Sequence, residues 1–538
     1  MVMMASSLSP AASYRVYVQA RCPDLDLSRL PAFQALDATN WDEPMSAVDC
    51  NNYGVVALLE AMQASDSSLR RAYVDMAIEA FTTGANLGDC LCAAHLALAL
   101  ASIGRSQDAM QVALSTFLDS LQPAYGGDAP LPPGILYWPE TPRCALNGSG
   151  QFAQVLQQMD GRQQSWFVVV AALSVGQPIF YNATGLRLLQ LAAQVIPDSA
   201  AIQLKLGLAS LMNQQLEGLW SLHRAQQLAP DSALPLQALH LAYRDLGQLD
   251  KSEFWLARAR EIRPATVTGT AALSWHWVDW QAPAEMTCIA FEQDGLLAIE
   301  PSLRSIATSV LLGAGTWFEA EMEFWRNCLQ PGMTAIDVGA NVGVYTIAAA
   351  QQVGPTGCAI AVEPFSGCVA RLQQTCQLNQ FSQVKILAGA ASDRVHSAKL
   401  SLHTASELNE LVAEDGTEAE GTGTFETVQC FPLDDLLAQV PLQRVDLLKI
   451  DAEGHELQVL AGSKRLLAEF APVIFYENIA GNRGGNLPVA DYLRSQGYQL
   501  FRYQPFIQQL VPVQAEVDFQ QSLNLIAIPA SKVTDWAD

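Results

Sequence analysis

The stretch Ala335-Ile336-Asp337-Val338-Gly339-Ala340-Asn341-Val342-Gly343 constrains this chain more than any other. An apolar run that stops at a carboxylate and meets two glycines predicts a buried strand. The strand turns sharply into a helix beginning Val344-Tyr345-Thr346. Such a helix start leaves backbone N–H groups without intrahelical partners, facing a cleft where a carboxylate, phosphate or ribose can bind. Gly339 and Gly343 allow a close approach that a Cβ would block. The spacing is D-x-G-x-N-x-G and lacks the G-x-G-x-x-G of the dinucleotide fingerprint, which argues against a nicotinamide-dependent dehydrogenase.

From about residue 283 onward, short β-branched or apolar runs alternate with helical stretches: Thr334–Val338, Cys358–Glu363, Val384–Ala388, Val445–Asp451 and Val473–Glu477. Near-continuous apolar strands separated by helices imply a parallel sheet covered on both faces. Gln499–Tyr503 and Leu523–Pro529 suit two closing strands. Ligands of an open parallel sheet bind at the carboxyl ends of its strands, so polar residues there carry the chemistry. The first end supplies Asp337 and the glycine turn. The second supplies Glu363, followed by Pro364, an acid able to accept hydrogen bonds from both ribose hydroxyls of a nucleoside. The third gives Ala390-Ala391-Ser392-Asp393, placed to meet an adenine amino group. The fourth gives Lys449-Ile450-Asp451-Ala452-Glu453-Gly454-His455-Glu456, and the fifth Glu477-Asn478. Asp434 and Asp435, just upstream of the fourth strand, are expected to cap the helix that follows them.

The glycine turn looks like the first motif of S-adenosylmethionine-dependent methyltransferases. Together, D-V-G-A-N-V-G-V-Y-T, the pair Glu363-Pro364 and K-I-D-A-E-G-H-E resemble the FkbM family of methyltransferases. The preambles Phe318 to Glu323, Leu329 to Gly332 and Phe431 to Leu436 are similar to that family as well. The resemblance covers roughly residues 283 to 530. It implies a Rossmann-like seven-stranded class I sheet with an antiparallel last strand, S-adenosylmethionine as methyl donor, and a hydroxyl of a sugar or natural product as acceptor. Asp337, Gly339, Asn341, Gly343, Tyr345, Thr346, Glu363, Ser392 and Asp393 would then hold the donor. His455, an imidazole suited to removing a hydroxyl proton near neutral pH, would act as base, with Asp451 or Glu477 orienting it or the substrate. No metal is expected. Asp451 with Glu477-Asn478 nonetheless resembles the acid set by which catechol-type O-methyltransferases hold magnesium, which keeps Mg²⁺ as a lesser alternative.

Residues 45–264 have a different grammar, with apolar residues at three- and four-residue spacing and few β-branched runs. Pro197-Asp198-Ser199 recurs as Pro230-Asp231-Ser232, and Pro230 recurs as Pro264. Aligning the last two prolines, 34 residues apart, superposes Leu222 on Leu256, Arg224 on Arg258 and Ala225 on Ala259. Tyr243, Gly247, Ala259 and Pro264 fall where the tetratricopeptide repeat has Tyr, Gly, Ala and Pro, so this half resembles a TPR-like helical array. Such repeats bury their apolar faces against neighbours. They either form a groove for a protein partner or serve as a cap or self-association domain. A Pro-, Gly- and aromatic-rich loop between Gly126 and Gly150 is expected to interrupt the array. The organisation is therefore an extension at 1–44, a helical domain at 45–264, a linker at 265–282, a methyltransferase-like domain at 283–530 and a tail at 531–538.

Thirty Lys+Arg against 54 Asp+Glu give a net charge of -24, which disfavours nucleic acid or an anionic membrane surface as partner. Eleven cysteines show no CxxC pair and no metal-ligand rhythm, a usage that suits a reducing compartment. No basic-then-apolar leader precedes the first helix signals, and the longest apolar run, Trp166 to Val175, is too short to span a bilayer. A cytoplasmic enzyme is the expectation. The competing possibility is an interaction protein whose methyltransferase-like domain only binds S-adenosylmethionine. Substrate recognition is expected in the polar segment Ser406 to Thr424, which contains no Lys or Arg cluster for a phosphorylated acceptor.

Overall fold

The computed structural model describes residues 8–121, 131–139, 149–264, 270–292, 294–412, 423–440, 442–478, 485–513, 519 and 522–536. The chain divides into two compact units, one of Met1–Ala229 with Gln504–Gln509, the other of Pro230–Tyr503 with Leu510–Asp538.

The first unit is helical. Its helices begin where side-chain oxygens take up the first N–H groups of the turn. Ser46 and Asp49 form a capping box for Ala47–Gln63, Asp66 caps Ser67–Asn86, Asp89 caps Cys90–Ser102, and Asp160 with Gln163 boxes Gly161–Gly176. Where Ala200–Met212 crosses Gly218–Leu228, a Cβ on Gly207 would strike Leu222 and the Gly218 carbonyl, so only glycine lets these backbones approach. The apolar run expected as a buried helix lies in Gly161–Gly176, with Phe167 to Leu173 buried. Residues 8–44, read as a partly irregular extension, contain the helices Pro10–Arg21 and Pro31–Asp37.

The expected interrupting loop lies partly outside the described residues, and 131–139 are described. Ile135, Leu136, Tyr137 and Trp138 are buried without regular structure. Buried backbone must find hydrogen bonds, and here side chains provide them. Tyr14 Oη lies 3.0 Å from the Leu136 carbonyl and 2.9 Å from its N–H, and Tyr17 Oη bonds Trp138 in the same way. Tyr137 N–H donates to His95 Nε2 at 3.1 Å. Burial lowers the His95 pKa to about 3, so this ring stays neutral and accepts. Among the described residues, no helix is long and apolar enough to cross a membrane.

The second unit opens with the helices Ala233–Asp245 and Leu249–Ile262, which share a core with Trp275, Trp277 and Cys288. Gln237 donates to the Cys288 carbonyl at 2.9 Å, tying this pair to the hairpin Thr287–Phe291 and Gly295–Ile299.

The main sheet of this unit has eight strands: β1 Thr334–Val338, β2 Cys358–Glu363, β3 Val384–Ala388, β4 Leu447–Ile450, β5 Val473–Glu477, β6 Tyr498–Gln504, β7 Gln509–Pro512 and β8 Asn524–Pro529. Their order is β7-β6-β8-β5-β4-β1-β2-β3. Strands β1 to β5 pair in parallel, and β8 runs antiparallel to both β5 and β6. The edge strand β7 makes the count eight rather than the expected seven. Its residues 509–512 are too short and too polar at the start for periodicity to reveal. Both β1 and β4 are buried along their whole length, as a sheet covered on two faces requires. A second, four-stranded sheet is inserted between β3 and β4, formed by Ala390–Ala391, His396–Leu402, Glu410–Leu411 and Thr424–Phe431.

Candidate active site

The carboxyl ends of β1, β2 and β4 open onto one cavity, of about 960 Å³ when its solvent-open space is counted. Asp337 to Val342, Val344, Tyr345, Glu363, Pro364, Lys449, Asp451, Ala452, Glu453 and His455 line it, with Ala307 and Trp317 from the segments before β1. The connection between two strands of the inserted sheet adds Ser406, Glu407 and Asn409, and the strand Glu410–Leu411 adds Leu411. Its mixed polar and apolar lining is that of a small-molecule site.

Its floor is the glycine turn. Gly339 has φ 75°, and a Cβ there would collide with the Asp451 carbonyl at the end of β4. Gly343 has φ 93° and serves as N-cap of the helix Val344–Val353, beneath Leu372. The Asp451 N–H donates to the Val338 carbonyl at 3.0 Å, so the two strand ends are tied together. Asp337 is buried and accepts from the Thr346 hydroxyl at 2.6 Å. Burial raises its pKa, partly offset by Lys449 and by that hydrogen bond.

Glu363 accepts from Asn341 N–H at 2.8 Å through one oxygen and from Phe365 N–H at 2.8 Å through the other. It braces the turn while keeping lone pairs toward the cavity. Burial pushes its pKa to about 7, against the lowering effect of those two N–H groups.

The loop after β4 concentrates acid. Asp451, Glu453 and Glu477 bring one carboxylate oxygen each within 4.8 Å of one another. The Glu477 and Glu453 pKa values are both raised, by burial first and by the neighbouring carboxylates next. Glu477 Oε2 is buried without a hydrogen-bond partner. Lys449, itself buried, donates to Asp451 Oδ2 at 2.5 Å. Glu456 folds the loop by accepting from Ala452 and Gly454 N–H and from Asn486. His455 reaches Ser392 Oγ through Nε2 at 3.0 Å.

Residues 337–500 match the model of the methyltransferase FkbM domain. No protein of curated function matches the chain. Among solved structures, it is similar to a methyltransferase FkbM from Methylobacillus flagellatus KT, at 16% identity and TM-score 0.25. That likeness covers 41% of this chain and 55% of the other, so the chain spans about half the length of that protein. It is also similar to the crystal structure of MamA, at 15% identity and TM-score 0.24 over 36% of this chain and 90% of that one. A SAM-dependent methyltransferase from Aquifex aeolicus is similar at 12% identity and TM-score 0.22, over 39% and 87% respectively.

Within the matched residues, Asp337, Gly339, Asn341, Tyr345, Glu363, Asp451 and His455 are gathered on the cavity. Thr346 is fully buried beneath it, with its hydroxyl on Asp337. Tyr345 presents its ring, since its hydroxyl donates to buried Glu319 at 2.6 Å. Ser392 and Asp393 stand outside the lining. The short strand Ala390–Ala391 turns the chain into the second sheet, so these two alanines face the cavity. Ser392 is buried against His455, and Asp393 pairs with Arg394 at 3.2 Å near the surface.

Asn478 does not join Asp451 and Glu477. Its amide donates to the Phe519 and Ser522 carbonyls at 2.6 and 2.7 Å and its oxygen accepts from Asn486, while Glu453 completes the acidic trio. Asp434 caps a different helix from the one expected: its oxygens accept from Arg465 and Leu466 N–H at 3.0 and 2.9 Å, at the start of Lys464–Phe470. Of the expected recognition segment, Ser406 to Leu411 contributes to the cavity, and 413–422 lie outside the described residues.

Lys449, Trp317 and Glu453 line the cavity without having been given roles from sequence. Lys449 was legible as a cation in the middle of an apolar strand, where a charge persists only if paired. Trp317 comes from a segment distant in sequence and carries no such signal.

Proposed function

We propose that this chain is an S-adenosylmethionine-dependent O-methyltransferase acting on a neutral hydroxyl of a sugar, glycan or natural product. The observation that carries this is the convergence of the Asp337–Gly343 turn, Glu363 and the Asp451–His455 loop on one cavity. The strand order, with antiparallel β8 placed between β5 and β6, is similar to the Rossmann-like class I methyltransferase sheet and supports the same reading.

Bound S-adenosylmethionine supplies a methyl group on a sulfonium, already paired with a good leaving group. The chain's own residues then bind, align and deprotonate. Asp337 and the backbone of the glycine turn, whose own N–H groups are bonded to Val362, Glu363, Asn341 and Ala340, hold the amino-acid end of the donor, and Glu363 takes the ribose hydroxyls. His455 accepts the acceptor's proton, fixed by Ser392, while Asp451 orients the acceptor. Among the described residues lining the cavity, five are acids, Asp337, Glu363, Glu407, Asp451 and Glu453, and one is a lysine, Lys449, which favours an uncharged or cationic acceptor over an anionic one.

Transfer of label from methyl-labelled S-adenosylmethionine into a cell extract, followed by identification of the product, tests the activity. If calorimetry shows donor binding but no product is ever labelled, the chain is instead a scaffold with a sensor domain. The helical half, with its TPR-like pairing, is assigned to docking a protein partner or a second copy.

The Glu363 environment makes donor binding pH-dependent. Ribose hydroxyls donate to the ionised carboxylate, so binding favours deprotonation of a group whose pKa stands near 7. Affinity therefore rises with pH through about 7, by up to roughly tenfold per pH unit on the acid side. Calorimetric titrations across this range check it, and E363Q flattens the curve. An unchanged curve in E363Q removes Glu363 from the ribose site.

A second reading concerns Mg²⁺. The Asp451, Glu453 and Glu477 oxygens, with Glu477 Oε2 lacking a partner, form a hard-oxygen set of the kind Mg²⁺ takes. A metal held there would polarise the acceptor hydroxyl. Activity then falls on chelation and returns with Mg²⁺ alone. Full activity after exhaustive chelation retains the metal-free mechanism.

A further inference from the structure

The reaction outlined above gives Lys449 no part, yet its setting is costly for a lysine. It lies on β4 in register with Asp337 of β1 on one side and Phe475 of β5 on the other. A buried ammonium must be paired. Its Nζ donates to Asp451 Oδ2 at 2.5 Å and lies 4.5 Å from the centroid of the Tyr345 ring. That ring is itself fixed. The Tyr345 hydroxyl donates to Glu319 at 2.6 Å, and the Tyr345 carbonyl accepts from Trp325 Nε1 at 3.2 Å. The two members of the ion pair are not equally hidden. Both line the cavity, but the lysine side chain is 5% exposed and the aspartate 26%, so the carboxylate is the more accessible partner. An ion pair built only for stability has no need of this asymmetry, and apolar substitutes for buried pairs are often as stable.

We propose that Lys449 is a positioning residue for methyl transfer: backed by the Tyr345 ring, its ammonium holds the Asp451 carboxylate at one place on the cavity wall, beside the donor turn. This rests on the assignment of Asp451 to the reaction site. The Glu319–Tyr345 hydrogen bond sets the ring, the ring and Asp451 together confine the ammonium, and the ammonium confines the carboxylate. A misplacement of a reacting or orienting group by about 1 Å costs on the order of 100-fold in rate.

The test is a double-mutant cycle on the full chain, using K449M, D451N and K449M/D451N. Initial rates of label transfer from S-adenosylmethionine into extract are read beside donor affinity by calorimetry. K449M is expected to lose about 100-fold in rate with donor affinity changed less than about threefold, K449R to recover most of that loss, and the double variant to be no slower than D451N alone. Should K449M fail to melt cooperatively, K449Q takes its place in the cycle. Losses that multiply in the double variant, or wild-type turnover in K449M, overturn the proposal. Wild-type turnover in D451N instead overturns the assignment of Asp451 on which it rests.

Discussion

Gly339→Ala is expected to abolish S-adenosylmethionine binding, weakening it by more than about 100-fold, a loss of roughly 2.7 kcal/mol or more. Two independent costs act at this position. The backbone is held at φ 75°, where a residue with a Cβ is strained by about 1–3 kcal/mol. The added carbon would also overlap the Asp451 carbonyl, which cannot retreat, because the Asp451 N–H is bonded to Val338 in the neighbouring strand. Relief therefore requires the ends of β1 and β4 to separate, and those ends form the floor of the cavity. Gly343→Ala serves as a graded control. Its φ of 93° is equally unfavourable, but the obstructing atom is the tip of the Leu372 side chain, which can rotate. Calorimetry with S-adenosylmethionine, alongside a melting curve to establish that the variant is folded, provides the check. Donor binding by G339A within threefold of wild type would show that the turn does not cradle the donor.

His455→Ala separates chemistry from binding. Methyl transfer is expected to slow by roughly 10²- to 10⁴-fold, the usual worth of a general base, while donor affinity stays within about twofold. The separation follows from position: His455 is N-cap of Glu456–Ala461, in the loop beyond the donor turn, and its Nε2 is engaged by Ser392 at 3.0 Å. Ser392→Ala then costs less than His455→Ala, because it frees the ring to rotate without removing it. Near-normal turnover in H455A with intact donor binding would take the imidazole out of the reaction. It would leave Asp451, with or without Mg²⁺, as the group that activates the acceptor.

Much of this site was readable from sequence because the physics of an open parallel sheet is local. An apolar run ending in a carboxylate and two glycines can do little other than form a strand, a tight turn and a helix start. Asp337, Glu363 and Asp451 were accordingly placed at strand ends, and they lie on one cavity. Ser392 and Asp393 were assigned to the same row by the same rule, which breaks down at the third strand. After β3 the chain departs into the inserted sheet, and the residues facing the cavity are Ala390 and Ala391. The capping role of Asp434 was similarly legible as a type of interaction but not as a partner, since the helix it caps begins thirty residues later at Lys464. The segment 131–139 read as part of a loop interrupting the array because proline and aromatics break periodicity. Its burial depends on hydroxyls and imidazole from helices remote in sequence.

The glycine turn, the strand ends and the helical grammar of residues 45–264 were determined by the sequence alone. Each depends on backbone sterics or on periodicity within a dozen residues. The charge balance of the site was decided only by tertiary structure. Lys449, Asp451, Glu453 and Glu477 come from two strands and a loop, and their effect on one another falls off over a few ångströms. Which carboxylate is paired, which is left with a bare oxygen and which faces the cavity therefore follows from packing in three dimensions, where separation along the chain carries no information.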